Sequence, residues 1–290
     1  MACISNDVAV AILPYGAKLG LFPSLTPLDK LKWPLGRPER LTNKTLGDMK
    51  PCDHLIIYPT TAAHFRPTFG TQAHVSMMLV EPKAIHLRHF NRLRWTYRRF
   101  YRILSAQEEL LGEISNGCFF PFGSTWVLDW KDLDTSKSAN ISLIASLKRD
   151  HEGHKLRHEI AEWSINQGVD LELVGGGYKP FGRKAEGLAQ YRFSVVIENV
   201  REKNYFTEKL IDAILCNTIP IYWGCPNIDR FLDTKGMIIC DSIDELKEAI
   251  CSVDIGVFEN KLPLLQAIRQ KAAYWADLEV RAARTVLEAL

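Results

Sequence analysis

The segment from Tyr191 to Gly224, YRFSVVIENVREKNYFTEKLIDAILCNTIPIYWG, constrains the fold of this chain more than any other stretch. Its β-branched run SVVI is followed at once by Glu198 and Asn199, polar groups that a buried strand tolerates only at its tip. Thr207 then stands in the N-cap position of the helix EKLIDAILCN, and IPIYWG reads as a further strand. The segment therefore predicts a strand–helix–strand unit of a parallel sheet, whose ligands bind beyond the carboxyl ends of the strands.

Two side chains near the start of that helix are candidates for binding. Lys209 lies in the first turn, where the helix dipole disfavours a cation by up to about 1 kcal/mol unless an anion is near. A diphosphate would be such an anion, and the alternative is a solvated lysine offset by Glu208. Tyr205 offers a ring that either stacks on a base or sugar or packs at the helix start.

The segment resembles the donor-binding motif of the α1,3-fucosyltransferase family, which reads approximately YKFxLxFEN, a short loop, YVTEKIxDA and then IPIYWG. The matching positions are Tyr191, Phe193, Glu198, Asn199, Tyr205, Thr207, Glu208, Lys209, Asp212, Ala213, Pro220 and Gly224. The chain departs from the motif at Ile197, Val200 and Phe206. The resemblance implies a GT-B architecture, in which two Rossmann-like, doubly wound α/β domains face one another across a cleft.

The rest of the chain is compatible with two such domains. Its 290 residues are enough for two hydrophobic cores. Strand-like runs DVAVAIL, HLIIYP and HVSMMLV occur in the first half, around an irregular stretch from Pro23 to Pro51, and strands alternate with helices in the second half. We predict an N-terminal Rossmann-like acceptor and base domain (1–135), a C-terminal nucleotide-sugar donor domain (136–260) and a helical segment (261–290).

The resemblance also implies roles for residues outside the opening segment. Family members use an arginine at a helix start to contact the donor phosphates, and Arg157 matches it best, with Lys148 just after the preceding strand. The catalytic base would be Glu81, which ends the apolar run VSMMLV in front of a proline. Alternatives are a solvated Arg157 and a Glu81 that caps or salt-bridges a loop.

The donor itself would be held by residues of the opening motif. They are Glu198, Asn199, Tyr205, Thr207, Glu208 and Lys209. The expected reaction is inverting transfer of a sugar, fucose by resemblance, from a nucleotide diphosphate donor, with a GDP-sugar favoured, to a carbohydrate hydroxyl. The partners would be a nucleotide sugar and an oligosaccharide or glycoprotein glycan. An alternative keeps the mechanism with another donor, such as xylose from a UDP-sugar.

A different class of function is indicated by the stretch from Arg88 to Arg102, which interleaves six arginines with aromatic residues. Such a stretch is typical of a nucleic-acid-binding module that combines charge and stacking. The formal net charge of the chain is only +2, however, which argues against nucleic acid as a partner. We interpret the stretch as an amphipathic helix whose aromatic rings are in the core and whose arginines face water, with stacking on an acceptor glycan as the lesser alternative.

Composition also bounds cofactors and location. The seven cysteines include no CxxC pair, which favours a reducing compartment and a cytoplasmic location, and no apolar run approaches the ~18 residues of a membrane span. Protein cations can neutralise a diphosphate, so a divalent metal is possible but not predicted. We interpret the string Asp132-Leu133-Asp134 as coincidental, and His151, His154 and His158 as surface groups.

Overall fold

The computed structural model describes residues 8–288, which form two compact units. Unit 1 comprises the chain up to Phe122 together with the segment from Leu278 onwards, and unit 2 comprises Gly123–Asp277. These bounds differ from the domains predicted from sequence, because the C-terminal segment is divided between the units. The predicted functional domains, 1–135, 136–260 and 261–290, stay predictions.

Unit 1 is built on a parallel sheet of five strands, whose order follows the chain order. Its elements are β1 (Val10–Ile12), β2 (His54–Ile57), α1 (Thr61–Phe65), β3 (His74–Met78), α2 (Lys83–Thr96), β4 (Ile103–Ser105), α3 (Glu108–Glu113) and β5 (Gly117–Phe119). The predicted strands in DVAVAIL, HLIIYP and HVSMMLV are confirmed. The short strands β4 and β5 were not predicted, since three residues are too few for a period-two pattern.

Both faces of this sheet are buried, as the continuous apolar strands require. One face packs against α2, α3 and the irregular stretch 23–51, which holds short 3-10 turns and buries Leu28 and Leu46. The opposite face packs against the final helix α8 (Leu278–Glu288) through Ala282 and Val286. The C-terminal helix is therefore part of the core of unit 1.

Unit 2 is a second parallel sheet, with the strand order β10-β9-β8-β6-β7. Its elements are β6 (Ala139–Ile144), α4 (Glu152–Gln167), β7 (Glu172–Val174), β8 (Tyr191–Ile197), α5 (Glu208–Leu215), β9 (Ile219–Trp223), β10 (Ile238–Ile239), α6 (Ile243–Ser252) and α7 (Ile255–Ala276). The strand order reverses at β6, beside β8, and such a reversal is where α/β sheets bind ligands. The prediction of two parallel α/β sheets is confirmed.

The described part of the chain, 8–288, has no helix that is both long and apolar enough to cross a membrane. Within it, Cys118, Cys216, Cys225, Cys240 and Cys251 are free thiols, whereas Cys52 is disulfide-bonded. A disulfide is more typical of an oxidising compartment. It counts against the reducing compartment inferred from the cysteine pattern.

Candidate functional site

The end of β8 is joined to the start of α5 by Glu198. This carboxylate is wholly buried and accepts two hydrogen bonds from Thr207, from its backbone N–H at 2.8 Å and from its hydroxyl at 2.7 Å. Thr207 is the N-cap of α5, as predicted, and its Oγ1 accepts the backbone N–H of Lys209 at 3.3 Å. One carboxylate therefore fixes the strand end and the helix start together.

The side chain of Lys209 lies close to both Glu198 and Thr207, and we call the junction of these three residues the corner at Glu198. Its Nζ lies 3.1 Å from Oε1 of Glu208, 3.1 Å from Oγ1 of Thr207 and 3.8 Å from Oε2 of Glu198. The two carboxylates supply the anions that a cation at a helix N-terminus requires. About a quarter of the lysine side chain (23%) is exposed.

The protonation of the two carboxylates is shaped by burial and by their cations. Burial raises the pKa of Glu198, and the charge of Lys209 opposes the rise. Burial also pushes the pKa of Glu208 upwards, but the ammonium groups of Lys209 and Lys184 outweigh it, so that pKa falls below its ordinary value. The corner thus favours an ionised Glu208 beside two cations.

Two glycines allow the backbone and side chains to approach at this corner. A Cβ at Gly153, in the first turn of α4, would lie 1.7 Å from the carbonyl oxygen of Glu198. The N–H of Gly153 donates to the carbonyl of Asn199 at 2.9 Å. A Cβ at Gly224, just after β9, would lie 2.6 Å from Cγ of Glu198. No larger residue fits at either position without moving the end of β8.

Arg157 supports the corner from α4. Its buried guanidinium donates from Nε to the carbonyl of Ile197 at 3.1 Å, and from Nη2 to the same carbonyl and to Oδ1 of Asn199 at 3.2 Å. Burial lowers the pKa of Arg157, and the nearby Glu198 opposes the change. The arginine is not a solvated helix residue, since it positions Asn199 and adds buried positive charge.

A second group of buried charges continues along α5. The Nζ of Lys184 lies 3.8 Å from Oε1 of Glu208 and 3.6 Å from Oδ2 of Asp212. The wholly buried Asp212 accepts hydrogen bonds from the hydroxyl of Thr125 at 2.6 Å and the backbone N–H of Trp126 at 3.1 Å. Burial raises the pKa of Asp212 to about 6, against the opposing charge of Lys184.

Lys184 was not predicted from the sequence. A signal was present, however, because Glu208 and Asp212 are four residues apart and therefore share one face of α5. Two carboxylates on a buried helix face require a cation from elsewhere in the fold. The sequence gives no means of choosing which lysine supplies it.

The loop between β8 and α5 is held by an amide pair. The backbone N–H of Asn204 donates to Oδ1 of Asn227 at 2.9 Å, and Nδ2 of Asn227 donates to Oδ1 of Asn204 at 2.8 Å. Asn204 has a positive φ of 62°, which asparagine tolerates better than most residues. Tyr205 follows it and is buried.

The remaining predictions for unit 2 concern Lys148 and the histidine cluster. Lys148 is exposed in the loop between β6 and α4. The interpretation of the histidine cluster as surface groups is wrong for His154 and His158, which are buried. His158 is within hydrogen-bonding distance of the hydroxyl of Tyr178, at 3.0 Å, because α4 packs this side chain inwards. Within 8–288, no cluster of three or more His, Cys, Asp or Glu side chains could hold a metal ion.

The predicted base, Glu81, belongs to unit 1. It follows β3 by three residues, is partly exposed, and accepts a hydrogen bond from the hydroxyl of Tyr15 at 3.3 Å. Burial raises the pKa of Tyr15, and the charge of Glu81 adds to the rise. Tyr15 in turn packs edge-on against Tyr58, with ring centres 5.0 Å apart. Glu81 is thus held by a tyrosine at the carboxyl end of its strand.

Comparisons with known proteins bear on unit 2 above all. Residues 136–254 match the family model described as glycosyltransferase family 10 (fucosyltransferase) C-term. The alpha-(1,3)-fucosyltransferase FucT of Helicobacter pylori is 40% identical over 67 residues, 23% of this chain and 14% of that protein. The GDP-fucose protein O-fucosyltransferase 3 of Xenopus tropicalis is 37% identical over 62 residues, 21% of this chain and 13% of that protein. The matched regions are therefore a small part of these relatives.

A solved structure matches both units in fold. The trehalose 6-phosphate synthase of Burkholderia multivorans aligns with a TM-score of 0.53 at 10% identity, over 83% of this chain and 73% of that one. At this identity the likeness shows the fold alone, which is the GT-B class implied by the donor motif. The corner at Glu198, with Thr207 and Lys209, lies inside the region that the family model matches. Residues 136–254 therefore carry the similarity of this chain to glycosyltransferase family 10, the fucosyltransferase family.

Proposed function

We propose that this protein is an inverting fucosyltransferase, which moves fucose from GDP-fucose to a hydroxyl of a carbohydrate acceptor. The observation that carries the proposal is the corner at which Glu198 joins Thr207 and Lys209, within the family 10 region. The names of two relatives support the donor and the sugar, since they are a fucosyltransferase and a GDP-fucose protein O-fucosyltransferase. The same mechanism with xylose from a UDP-sugar is the alternative for the donor.

The first requirement of this reaction is that the negative charge on the departing GDP be stabilised. Lys209 would contact the diphosphate, because its side chain is partly exposed at the corner. Arg157 would add positive charge from α4, and its hydrogen bond to Asn199 would hold that residue for hydrogen bonding to the donor. Glu198 would position the start of α5, since both of its oxygens already accept hydrogen bonds from Thr207. These interactions require no metal ion.

The acceptor hydroxyl must lose a proton as it attacks the anomeric carbon. Glu81 would take that proton, and the new bond would form on the face of the sugar opposite the departing diphosphate, which inverts the anomeric configuration. Its partial exposure allows contact with an acceptor, and the hydrogen bond from Tyr15 fixes its orientation. We expect the acceptor to be an oligosaccharide or glycoprotein glycan. A protein hydroxyl is a second candidate, favoured by the name of the Xenopus relative.

The test is a transfer assay with the purified chain. GDP-fucose, UDP-xylose and other nucleotide sugars would each be incubated with a panel of oligosaccharides and unglycosylated protein domains, and released nucleotide and glycosylated product would be measured. Release of GDP with formation of a fucosylated product of inverted configuration is the expected result. Transfer from a UDP-sugar alone would replace the donor assignment, and retention of configuration would overturn the mechanism.

The cytoplasmic location stays a prediction from the cysteine pattern, and the disulfide at Cys52 points to an oxidising compartment instead. Fractionation of the cells that make the protein, followed by thiol labelling before and after reduction, would decide between them. Recovery in the cytosol with every cysteine reduced would support the prediction. Recovery from an oxidising compartment with Cys52 protected would overturn it.

A further inference from the structure

Unit 1 carries a surface of exposed apolar side chains on three segments. Trp95, at the end of α2, is 87% exposed, and Phe65, at the end of α1, is 64% exposed. In the loop before them, Leu21 is 93% exposed and Phe22 is 73% exposed. The interpretation that the aromatic rings of the stretch 88–102 are all in the core is therefore wrong for Trp95. Phe90 and Phe100 are buried, as expected.

The face of α2 that bears Trp95 explains why this ring is not buried. Leu87 and Asn91 precede Trp95 at spacings of eight and four residues, so the three lie on one side of the helix, and all are exposed. The opposite side supplies Phe90 and Leu93 to the core. The exposed side thus presents two apolar side chains, Leu87 and Trp95, with the polar Asn91 between them.

Hydrogen bonds join the three segments into one surface. The guanidinium of Arg66 donates to the carbonyl of Gly20 at 2.9 Å, which ties the loop containing Leu21 and Phe22 to the end of α1. The guanidinium carbon of Arg92 lies 5.6 Å from the ring centre of Phe65, and its Nη1 donates to Thr61 at 3.1 Å. We call this the Trp95 surface, and it comprises Leu21, Phe22, Leu25, Phe65, Arg66, Leu87, Arg88, Arg92, Trp95, Arg98 and Arg99.

The Trp95 surface is strongly basic. Its arginines are Arg66, Arg88, Arg92, Arg98 and Arg99, and residues 8–288 offer none of them a carboxylate partner. By contrast, Arg94, which lies beside Asn91 on α2, pairs with Glu109 and Glu113. Uncompensated charge of one sign beside exposed apolar side chains is unusual on a monomer, and it marks an interaction site for an anionic partner.

We propose that the Trp95 surface docks the protein on the surface of an anionic lipid bilayer. Arginines would bind lipid phosphates, Trp95 would sit at the level of the headgroups, and the leucine and phenylalanine side chains would enter the acyl boundary. A nucleic acid fits less well, because Leu21, Leu25 and Leu87 offer no ring on which a base stacks. A second copy of the same face fits less well too, since a two-fold interface would oppose the arginines to one another.

The experiment is co-sedimentation of the full chain with vesicles, in low and high salt. The probes are vesicles of phosphatidylcholine alone, vesicles containing about one third phosphatidylglycerol, and a single-stranded oligonucleotide. Binding to the anionic vesicles, reduced at high salt and much weaker without phosphatidylglycerol, is the expected result. Failure to bind the anionic vesicles, or binding of the oligonucleotide in their place, would overturn the proposal.

Matched variants distinguish binding through the Trp95 surface from non-specific binding through the overall charge or exposed apolar side chains of the protein. Reversing Arg88→Glu and Arg92→Glu should lower the partition onto anionic vesicles at least about tenfold, because each cation near such a surface contributes about fivefold. Lys235→Glu with Lys271→Glu, exposed positions of unit 2, is the charge-matched control. Equal losses in the two pairs would contradict a localised surface.

The apolar contribution has its own pair. Phe65→Ser with Trp95→Ser should also weaken vesicle binding, and the loss should persist at high salt, where the contribution of the arginines is screened. The control is Leu128→Ser with Ile165→Ser, both exposed in unit 2. Circular dichroism would confirm that each variant is folded. Unchanged binding of the Phe65 and Trp95 variant would overturn insertion. Transfer of fucose to a soluble acceptor would be measured separately, because it reports on the proposed activity and not on membrane docking.

Discussion

One strand of each unit is followed by a carboxylate, and the surroundings of the two groups differ. Glu198, after β8 of unit 2, is wholly buried and accepts two bonds from Thr207. Glu81, after β3 of unit 1, is partly exposed and accepts a bond from the hydroxyl of Tyr15. The buried carboxylate holds the strand end and the helix start together, whereas the partly exposed one is the group that we propose as the base.

The largest expected effect is on turnover, at the accessible carboxylate. Glu81→Gln removes the proposed base but keeps the size and the hydrogen bond to Tyr15, so kcat should fall by about 10²- to 10⁴-fold. Affinity for GDP and the free energy of unfolding should stay unchanged. Steady-state transfer kinetics, with calorimetry on the same sample, would measure this. Full turnover in the variant would show that Glu81 is not the catalytic base.

A stability test addresses how closely packed the Glu198 corner is. Gly153→Ala would place a methyl group against the carbonyl of Glu198, at a distance that backbone atoms cannot accept. We expect a loss of about 3 kcal/mol or more in the free energy of unfolding, measured by urea denaturation. The control is Gly176→Ala, since a Cβ there meets nothing within 4 Å. Equal stability of the two variants would show that the corner is not tightly packed.

A pH test probes the buried charges beside that corner. The pKa of Asp212 is raised by burial to about 6 in the folded protein, from its ordinary value of 3.8. The folded state therefore binds the proton more tightly, and the stability contributed by this group is present below about pH 4 and is lost as the pH rises to about 6, by about 3 kcal/mol. Asp212→Asn should flatten the difference between pH 4 and 6. An unchanged pH profile of the unfolding free energy would contradict the shift.

The smallest effect is expected for Lys209, the partly exposed lysine at the corner. Lys209→Ala removes one charged contact to the diphosphate, which corresponds to about 1.5–3 kcal/mol and roughly 10- to 150-fold in the Kd for GDP. Lys235→Ala, an exposed lysine of the same unit, is the control. Calorimetric titration would compare them. If both variants bound GDP as the unchanged chain does, the phosphate contact would have to come from another residue.

The sequence predicted the strand–helix–strand unit around Glu198 well, because the alternation of buried strand, polar tip and N-cap is local. It also predicted Thr207 as the N-cap, and the structure confirms that position. Lys184 escaped prediction, since its partners Glu208 and Asp212 lie far along the chain and only the fold brings them together. The exposure of Trp95 escaped for a similar reason, because an aromatic residue on a helix is usually buried.

The division of the C-terminal region was also beyond the sequence. Its helical character was predicted, but the break at Asp277 and the return of α8 to unit 1 depend on tertiary packing. Ala282 and Val286 of α8 cover a sheet face that the chain-order helices leave open. Local periodicity does not report which of two sheets a helix will cover.

We propose that the corner at Glu198 holds a guanosine diphosphate sugar, and calorimetric titration of the purified chain would test this binding. GDP and GDP-fucose would be titrated into the unchanged protein, with UDP and a short oligonucleotide as comparison ligands. We expect saturable binding of both guanosine ligands, with UDP clearly weaker and no binding of the oligonucleotide. Binding of the oligonucleotide alone, or UDP bound more tightly than GDP, would contradict it.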